Sequence, residues 1–283
     1  MALLKDFFYQ PGGENLKGIS HKNVLLKQSI IAHMAVQGWC TLAELTKALH
    51  ISVPTMTKLV GELVEEGVVV DNGKVETAGG RRPNIFGLAN TAIYFTGVDI
   101  GRDYICMLVT DLKNNTITTK MHTPFTLSDD EACLNSICQI INAFLDDCGV
   151  ERSKILGMGV CIAGRVNPAT GHSYMFFTGS GKSLKENIEA ATGVTVLVEN
   201  DTRARCFAEY YSGDSVKEKN MLYLHLGKGV AIGIIADGKL YYGKSGFAGE
   251  FGHTPFFNNE IICSCGKKGC LETEVSGIAI ENK

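Results

Sequence analysis

Residues 246–272, GFAGEFGHTPFFNNEIICSCGKKGCLE, constrain this chain more than any other stretch. They set His253 ahead of Cys263, Cys265 and Cys270. Three thiols and one imidazole make the Cys3His set that closes a tetrahedral zinc site, so structural Zn2+ is expected. Gly266 and Gly269 supply tight turns that let neighbouring sulfurs converge on one ion. Glu250 and Glu272 flank the ligands, so the metal-held loop reads as a scaffold that presents polar groups to a small ligand. The spacing CxCGxxGC after GH sets these three thiols apart from the rest of the chain's ten cysteines.

The N-terminal ninety residues follow a different pattern. Leu26, Ile30 and Met34 recur at helical spacing, which predicts an amphipathic helix over 23–37, ended by Gly38. Thr41 with Glu44 forms a capping box for a second helix that turns Leu42, Leu45 and Leu49 inward. Ser52 is the expected N-cap of a third helix, with Pro54 in its first turn and Val53, Met56, Leu59, Val60 and Leu63 on its buried face. Val68–Val70 then reads as a strand, Asp71-Asn72-Gly73 as a tight hairpin turn and Lys74–Thr77 as the return strand. A further strand over 85–88 follows Arg81 and Arg82. Three helices and a two-stranded wing make a winged helix-turn-helix, whose second helix of the pair enters the major groove of double-stranded operator DNA. Ser52, Thr55, Thr57 and Lys58 stand at the start of that helix, where base edges or phosphates are met. Arg81 and Arg82 stand at the wing tip, within reach of phosphates or a narrow minor groove. A protein-binding or dimerisation unit is the other reading. Short polar residues at the helix start, acids confined to its later turns and the arginine pair favour DNA.

The zinc segment resembles the ROK family (repressor, open reading frame, kinase), whose sugar-site and zinc motif reads GExGH followed by CxCGxxGCxE. Glu250, Gly252, His253, Cys263, Cys265, Gly266, Gly269, Cys270 and Glu272 fill every fixed position. A second family motif, END, stands at Glu199-Asn200-Asp201, and the family domain opens at Gly97-Val98-Asp99-Ile100-Gly101. The resemblance begins near Phe95. It implies an actin-like, ribonuclease-H-like α/β sugar-kinase fold of two lobes. The expected organisation is a winged helix over 1–90, a first lobe over 91–200 and the start of a second lobe over 201–283. Family members continue well past the zinc motif, whereas this chain stops at Lys283, so the second lobe is expected to be truncated. AGGRRP in the wing resembles the repressor branch of the family.

The resemblance also implies roles. Asp201 corresponds to the catalytic base of the kinase members and Asn200 to a sugar ligand. Glu250, His253 and Glu272 correspond to further sugar contacts, and Gly164 and Arg165 to a loop that closes over the sugar. His253 is then expected to bind zinc through one ring nitrogen and a hydroxyl through the other. Asp201 also reads as the N-cap of a helix starting at Thr202, and both roles are compatible.

The phosphate side departs from the kinase pattern. Phosphoryl transfer needs glycine-rich turns that let backbone N–H groups approach the phosphates. Where kinases of the family read DIGGTK, this chain has Asp99-Ile100-Gly101-Arg102-Asp103-Tyr104. A carboxylate at Asp103 repels a triphosphate by on the order of 4 kcal/mol per charge pair at close range. The second turn, GTGIGGG in kinases, is Gly227-Lys228-Gly229-Val230-Ala231-Ile232-Gly233. Its Ala231 and Ile232 side chains fill space the nucleotide needs, while Lys228 offers a counter-charge. These changes favour a sugar sensor over an ATP-Mg-dependent hexose or N-acetylhexosamine kinase, which is the alternative.

A length of 283 residues with 45% hydrophobic content predicts two or three compact units. The net charge of −3 gives no global positive field. No apolar run reaches the roughly 18 residues of a membrane span. Lys5 and Asp6 interrupt any signal-peptide pattern, and cysteines without a secretory signal predict reduced thiols in the cytoplasm. The expectation is a cytoplasmic transcriptional repressor, a homodimer or higher homo-oligomer, that answers to a sugar or sugar phosphate.

Overall fold

The computed structural model describes residues 19–74, 83–89, 93–213 and 218–282. Helix α1 is Ile19–Gln37, longer at its start than the periodicity predicts. Strand β1 (Cys40–Thr41) leads into α2 (Leu42–Leu49), and α3 (Val53–Glu65) follows. Ile30, Met34, Leu45, Met56, Leu59 and Leu63 share one core with the strands behind them. Val53, expected on that buried face, is instead exposed: it stands at the first residue of α3, ahead of the turn that packs. Ser52 occupies the N-cap position of α3 without a side-chain cap bond, its hydroxyl meeting that of Thr55 at 2.9 Å. Lys27, buried on α1, reaches Glu62 at 2.8 Å and Glu66 at 2.7 Å on and just after α3. Two of the acids in the late turns therefore serve to dock α1.

The capping box of α2 forms as predicted. The Thr41 hydroxyl accepts the Glu44 N–H at 3.2 Å, and the Glu44 carboxylate accepts the Thr41 N–H at 2.8 Å. The Thr41 N–H first, and then the Thr41 hydroxyl, which donates to the same carboxylate at 2.9 Å, hold the Glu44 carboxyl below its ordinary value. Thr41→Ala is expected to cost about 1 kcal/mol at neutral pH, measured by urea unfolding. A depressed folded-state value means the Glu44 contribution is present above the unfolded carboxylate range and fades as pH falls through the folded one. The gap between variant and wild type should accordingly narrow at acid pH.

Strands β2 (Val69–Lys74) and β3 (Asn84–Leu88) correct the expected hairpin. Asp71-Asn72-Gly73 does not reverse the chain; it is an irregularity within β2, and the antiparallel partner is β3, with Val69 opposite Leu88 and Lys74 opposite Asn84. The Asp71 carboxylate accepts the Gly73 N–H at 2.8 Å and the Asn84 amide at 2.7 Å, while Gly73 takes φ 79. A side-chain latch and a left-handed glycine make a bulge here instead of a turn. The first sheet has the order β1-β3-β2. Residues 75–77 of the expected return strand, with Arg81 and Arg82, lie outside the described residues.

The next strands are β4 (Tyr94–Ile100), β5 (Tyr104–Asp111) and β6 (Thr116–Pro124). Helix α4 (Glu131–Asp147) buries Leu134, Ile137, Ile141, Phe144 and Leu145, as its spacing predicts. Ser128 and Glu131 have the spacing of a capping box, but the cap is Asp130, which accepts the Cys133 N–H at 2.7 Å, and Ser128 donates to Asp130. Strands β7 (Ile155–Ile162), β8 (Val166–Asn167) and β9 (His172–Ser173) follow, then α5 (Leu184–Thr192), β10 (Val196–Asn200) and α6 (Asp201–Ser212). The five-stranded sheet runs β10-β7-β4-β5-β6, a three-stranded meander extended by two later strands beside β4. That is the sheet order of a ribonuclease-H-like lobe. Strands β11 (Met221–Leu226), β12 (Val230–Ala236) and β13 (Lys239–Leu240) form an antiparallel sheet against which α6 packs. Short helices α7 (Glu272–Val275) and α8 (Gly277–Glu281) close the described chain.

The chain divides into two compact units. The first takes the described part of Met1–Gly97 with Met107–Lys120 and Ala143–Met158. The second takes Val98–Cys106, Met121–Asn142 and the described part of Gly159–Lys283. Among the described residues no helix is long and apolar enough to cross a membrane.

Candidate functional site

A cleft of about 290 Å³ lies within the second unit. Its lining brings together Gly101, Gly164, Asn200, Asp201, Gly227, Lys228, Gly229, Glu250, His253 and Glu272, residues scattered over most of the unit's sequence. Asp99 and Arg165 are not among the lining residues; Asp99 bonds Arg205, which is, and Arg165 is exposed, with its guanidinium 5.3 Å from the Phe247 ring. The volume is at the lower edge of small-molecule sites, which run from roughly 300 to 1,000 Å³.

The END motif sits where β10 passes into α6. Asn200, and not Asp201, caps that helix: its side-chain oxygen accepts the Arg203 N–H at 2.9 Å. The Asn200 amide donates to the Gly164 carbonyl at 2.9 Å and to Asp201 at 3.1 Å. With the cap supplied by its neighbour, Asp201 faces the cleft from the first residue of the helix. Its second carboxylate oxygen accepts from Arg205 at 3.3 Å.

Two arginines that the sequence reading passed over organise this corner. Arg203 is 3% exposed. It donates to Glu199 at 2.7 Å, to the Gly246 carbonyl at 2.6 Å and to the Val166 carbonyl at 3.0 Å. Arg205 donates to Asp201 and, at 3.3 Å, to Asp99. Burial opposes the Arg205 charge, yet Asp201 and Asp99 outweigh it and raise its pKa. The signal was present as acid-to-arginine pairs four apart, Glu199 with Arg203 and Asp201 with Arg205, across the start of one helix. Asp99 also accepts from the Cys161 thiol at 3.3 Å. Burial, then the Asp99 charge, pushes that thiol well above its usual value and keeps it a donor.

Glu250 precedes a short 3-10 turn, Phe251–His253, and His253 ends it. His253 directs Nδ1 to Cys263 Sγ at 3.3 Å and Nε2 toward Glu250 at 3.8 Å. Burial raises the Glu250 carboxyl above its ordinary value, against the opposing charges of His253, Arg165 and Arg203. Glu272 accepts the Val230 N–H at 2.9 Å, so this expected sugar contact also pins the start of β12.

His253, Cys263, Cys265 and Cys270 form a group able to hold a metal ion, with ligand atoms all within 4.8 Å of one another. Cys265 and Cys270 stand 3.6 Å apart, sulfur to sulfur. Zn–S bonds of about 2.3 Å at tetrahedral angles put sulfurs about 3.8 Å apart, so spacing and donor set both fit zinc. Gly266 at φ 83 and Gly269 at φ 72 make the turns that bring the sulfurs in. Burial, then its neighbouring sulfurs, pushes the Cys270 thiol up to about 12. A divalent cation at the centre reverses that balance by holding thiolates.

The phosphate-side departures meet each other. Lys228 pairs with Asp103 at 2.9 Å. That bond is the first cause holding the Asp103 carboxyl below its usual value. Asp103 is thus not the bare repulsive charge expected from the sequence; its counter-charge comes from the second turn.

The ROK family pattern matches residues 95–283. The chain belongs to the ROK family. The xylose repressor of Bacillus spizizenii is 30% identical over 242 residues, covering 84% of this chain and 62% of that protein. The chain therefore spans less than two thirds of the repressor's length. A crystal structure of a ROK family transcriptional regulator, a homolog of the E. coli MLC protein, superposes with a TM-score of 0.74 over 93% of this chain and 66% of that one. At 23% identity this likeness shows the fold alone. A ROK family glucokinase from Streptomyces griseus, in complex with glucose and AMPPNP, superposes at 0.55 with 29% identity, over 67% of this chain and 59% of that one. The actin-like sugar-kinase fold of the ROK domain follows from these neighbours and from the sheet order.

Proposed function

We propose that this ROK protein is a cytoplasmic, sugar-responsive transcriptional repressor. Its N-terminal three helices and wing bind operator DNA, its ROK cleft binds a sugar or sugar phosphate, and a structural zinc holds one wall of that cleft. The observation that carries the reading is the uneven cleft. Asn200, Asp201, Glu250 and His253 converge on a space sized for one small ligand, while Lys228 and Asp103 of the two phosphate turns are bonded to each other. A site of that kind recognises a sugar without acting on it.

Ser52, Thr57 and Lys58 point outward from the first turns of α3, and Thr55 is half-buried, which supports that helix as the DNA-reading element. The name of the B. spizizenii relative, xylose repressor, supports the same reading. Two recognition helices on a two-fold operator require a homodimer or a higher even assembly. Ligand binding regulates only if the sugar prefers one conformation of that assembly.

The test is a titration of the protein against its own upstream DNA, by fluorescence anisotropy, with and without a panel of pentoses, hexoses, N-acetylhexosamines and their phosphates. Release of the DNA by one ligand is expected, and Lys58→Ala should weaken binding to every sequence alike and flatten its salt dependence. DNA binding unaffected by every ligand in the panel argues against the sensor. Retention of Asp201 supports the alternative, an ATP-dependent hexose or N-acetylhexosamine kinase. Sugar phosphorylation from ATP-Mg that Asp201→Asn abolishes would establish it.

A further inference from the structure

We propose that Arg205 is a built-in counter-cation that holds Asp99 and Asp201 in one fork and closes the ROK cleft to a divalent ion and its nucleotide. The inference rests on the sugar-sensor reading and deepens it, by naming the residue that keeps the cleft a one-ligand site. Phosphoryl transfer requires a base free to take the hydroxyl proton and carboxylates free to hold the metal that bridges the phosphates. Here one guanidinium occupies both carboxylates at 3.3 Å. Asp99 has its other oxygen on the Cys161 thiol. A cation arriving at these carboxylates meets a fixed positive charge that never leaves with a product.

The phosphate turns point the same way for a separate reason. Their glycines should present bare backbone to phosphate oxygens. Instead the Tyr104 ring lies against Gly101, so close that a Cβ there would meet it at 2.6 Å. The His225 ring lies against Gly227 and the Glu272 carboxylate against Gly229, each at 2.7 Å by the same measure. Three side chains of the protein, one of them anionic, crowd the Cβ side of these glycines, which line the cleft. The Glu272 carboxylate beside Gly229 opposes a phosphate at that turn.

Removing the fork should uncover the ion site it suppresses. Mn2+ is the probe, because its free form gives a solution EPR signal that disappears on binding, and hard carboxylates rather than zinc-site thiolates take it. The full chain, zinc-loaded, is titrated as wild type, Arg205→Ala, Arg205→Gln and Arg205→Gln with Asp99→Asn. The two single variants should bind Mn2+ on the order of tenfold or more tighter than wild type, because a close like charge has gone. The double variant should lose the gain. Variants that bind no more Mn2+ than wild type, or a wild type that already binds as tightly, overturn the proposal. Circular dichroism and zinc content check the fold. If Arg205→Ala unfolds, Arg205→Gln carries the test, and unfolding of both makes Arg205 a structural strut and overturns the proposal as well. Sugar turnover with ATP is followed in the same samples. Turnover by wild type defeats the sensor reading and this inference together, whereas flat Mn2+ binding across the variants defeats this inference alone.

Discussion

Removing zinc, by a strong chelator or by Cys270→Ser, is expected to abolish sugar binding and to lower the thermal unfolding midpoint sharply. Regular secondary structure contributes little to the segment that carries the ligands. Between β13 and α7 its only regular pieces are the 3-10 turn at Phe251–His253 and two isolated bridges, Pro255 with Cys270 and Ile262 with Lys268. Phe256 and Ile262 are each 70% exposed, so the loop buries no core of its own to speak of. A loop of this kind depends on its cross-link. Structural zinc sites carry apparent binding free energies on the order of 10 kcal/mol near neutral pH, which is folding free energy when no site exists in the unfolded chain. The loss reaches the cleft through His253, whose Nδ1 faces the sulfurs while Nε2 faces Glu250. Zinc content by mass spectrometry, a melt with and without chelator, and a sugar titration read the three consequences. Full sugar affinity in zinc-free Cys270→Ser would sink the claim that the metal braces the cleft.

Replacing Arg203 by Met is expected to cost about 3 kcal/mol of stability or more, a loss that Lys will not repair. One planar fork bonds Glu199 and two carbonyls distant in sequence, Gly246 of a loop and Val166 of β8, and lies 5.3 Å from the Tyr242 ring. Lysine has a point charge where those three acceptors need directed donors. Met leaves Glu199 as a largely buried carboxylate without its cation, the arrangement that costs roughly 3–5 kcal/mol. Tyr242 registers the same charge: burial first, then Glu199, pushes its hydroxyl up to about 12. Glu199→Gln should recover part of the loss, because no bare charge then remains. A urea double-mutant cycle measures the coupling, and strict additivity of the two changes would show that the pair does not interact.

The sequence by itself determined the features whose partners are neighbours in the chain. The Cys3His quartet was legible because its four ligands lie within one short loop, where spacing nearly fixes geometry. The Thr41–Glu44 box and most of the buried face of α3 were legible for the same reason. Local signals failed where competing partners stood nearby. Asp130 took the cap assigned to Ser128, Asn200 took the one assigned to Asp201, and the pairing of β2 with β3 turned an expected hairpin into a bulge. Only the tertiary structure decided which charges meet. Lys27 finds Glu66 across 39 residues, Arg205 finds Asp99 across 106 and Lys228 finds Asp103 across 125. A lone charged residue carries no mark of its distant partner. Its role is set by which surfaces the hydrophobic cores bring together, and that selection made a phosphate-turn lysine the counter-ion of a phosphate-turn aspartate.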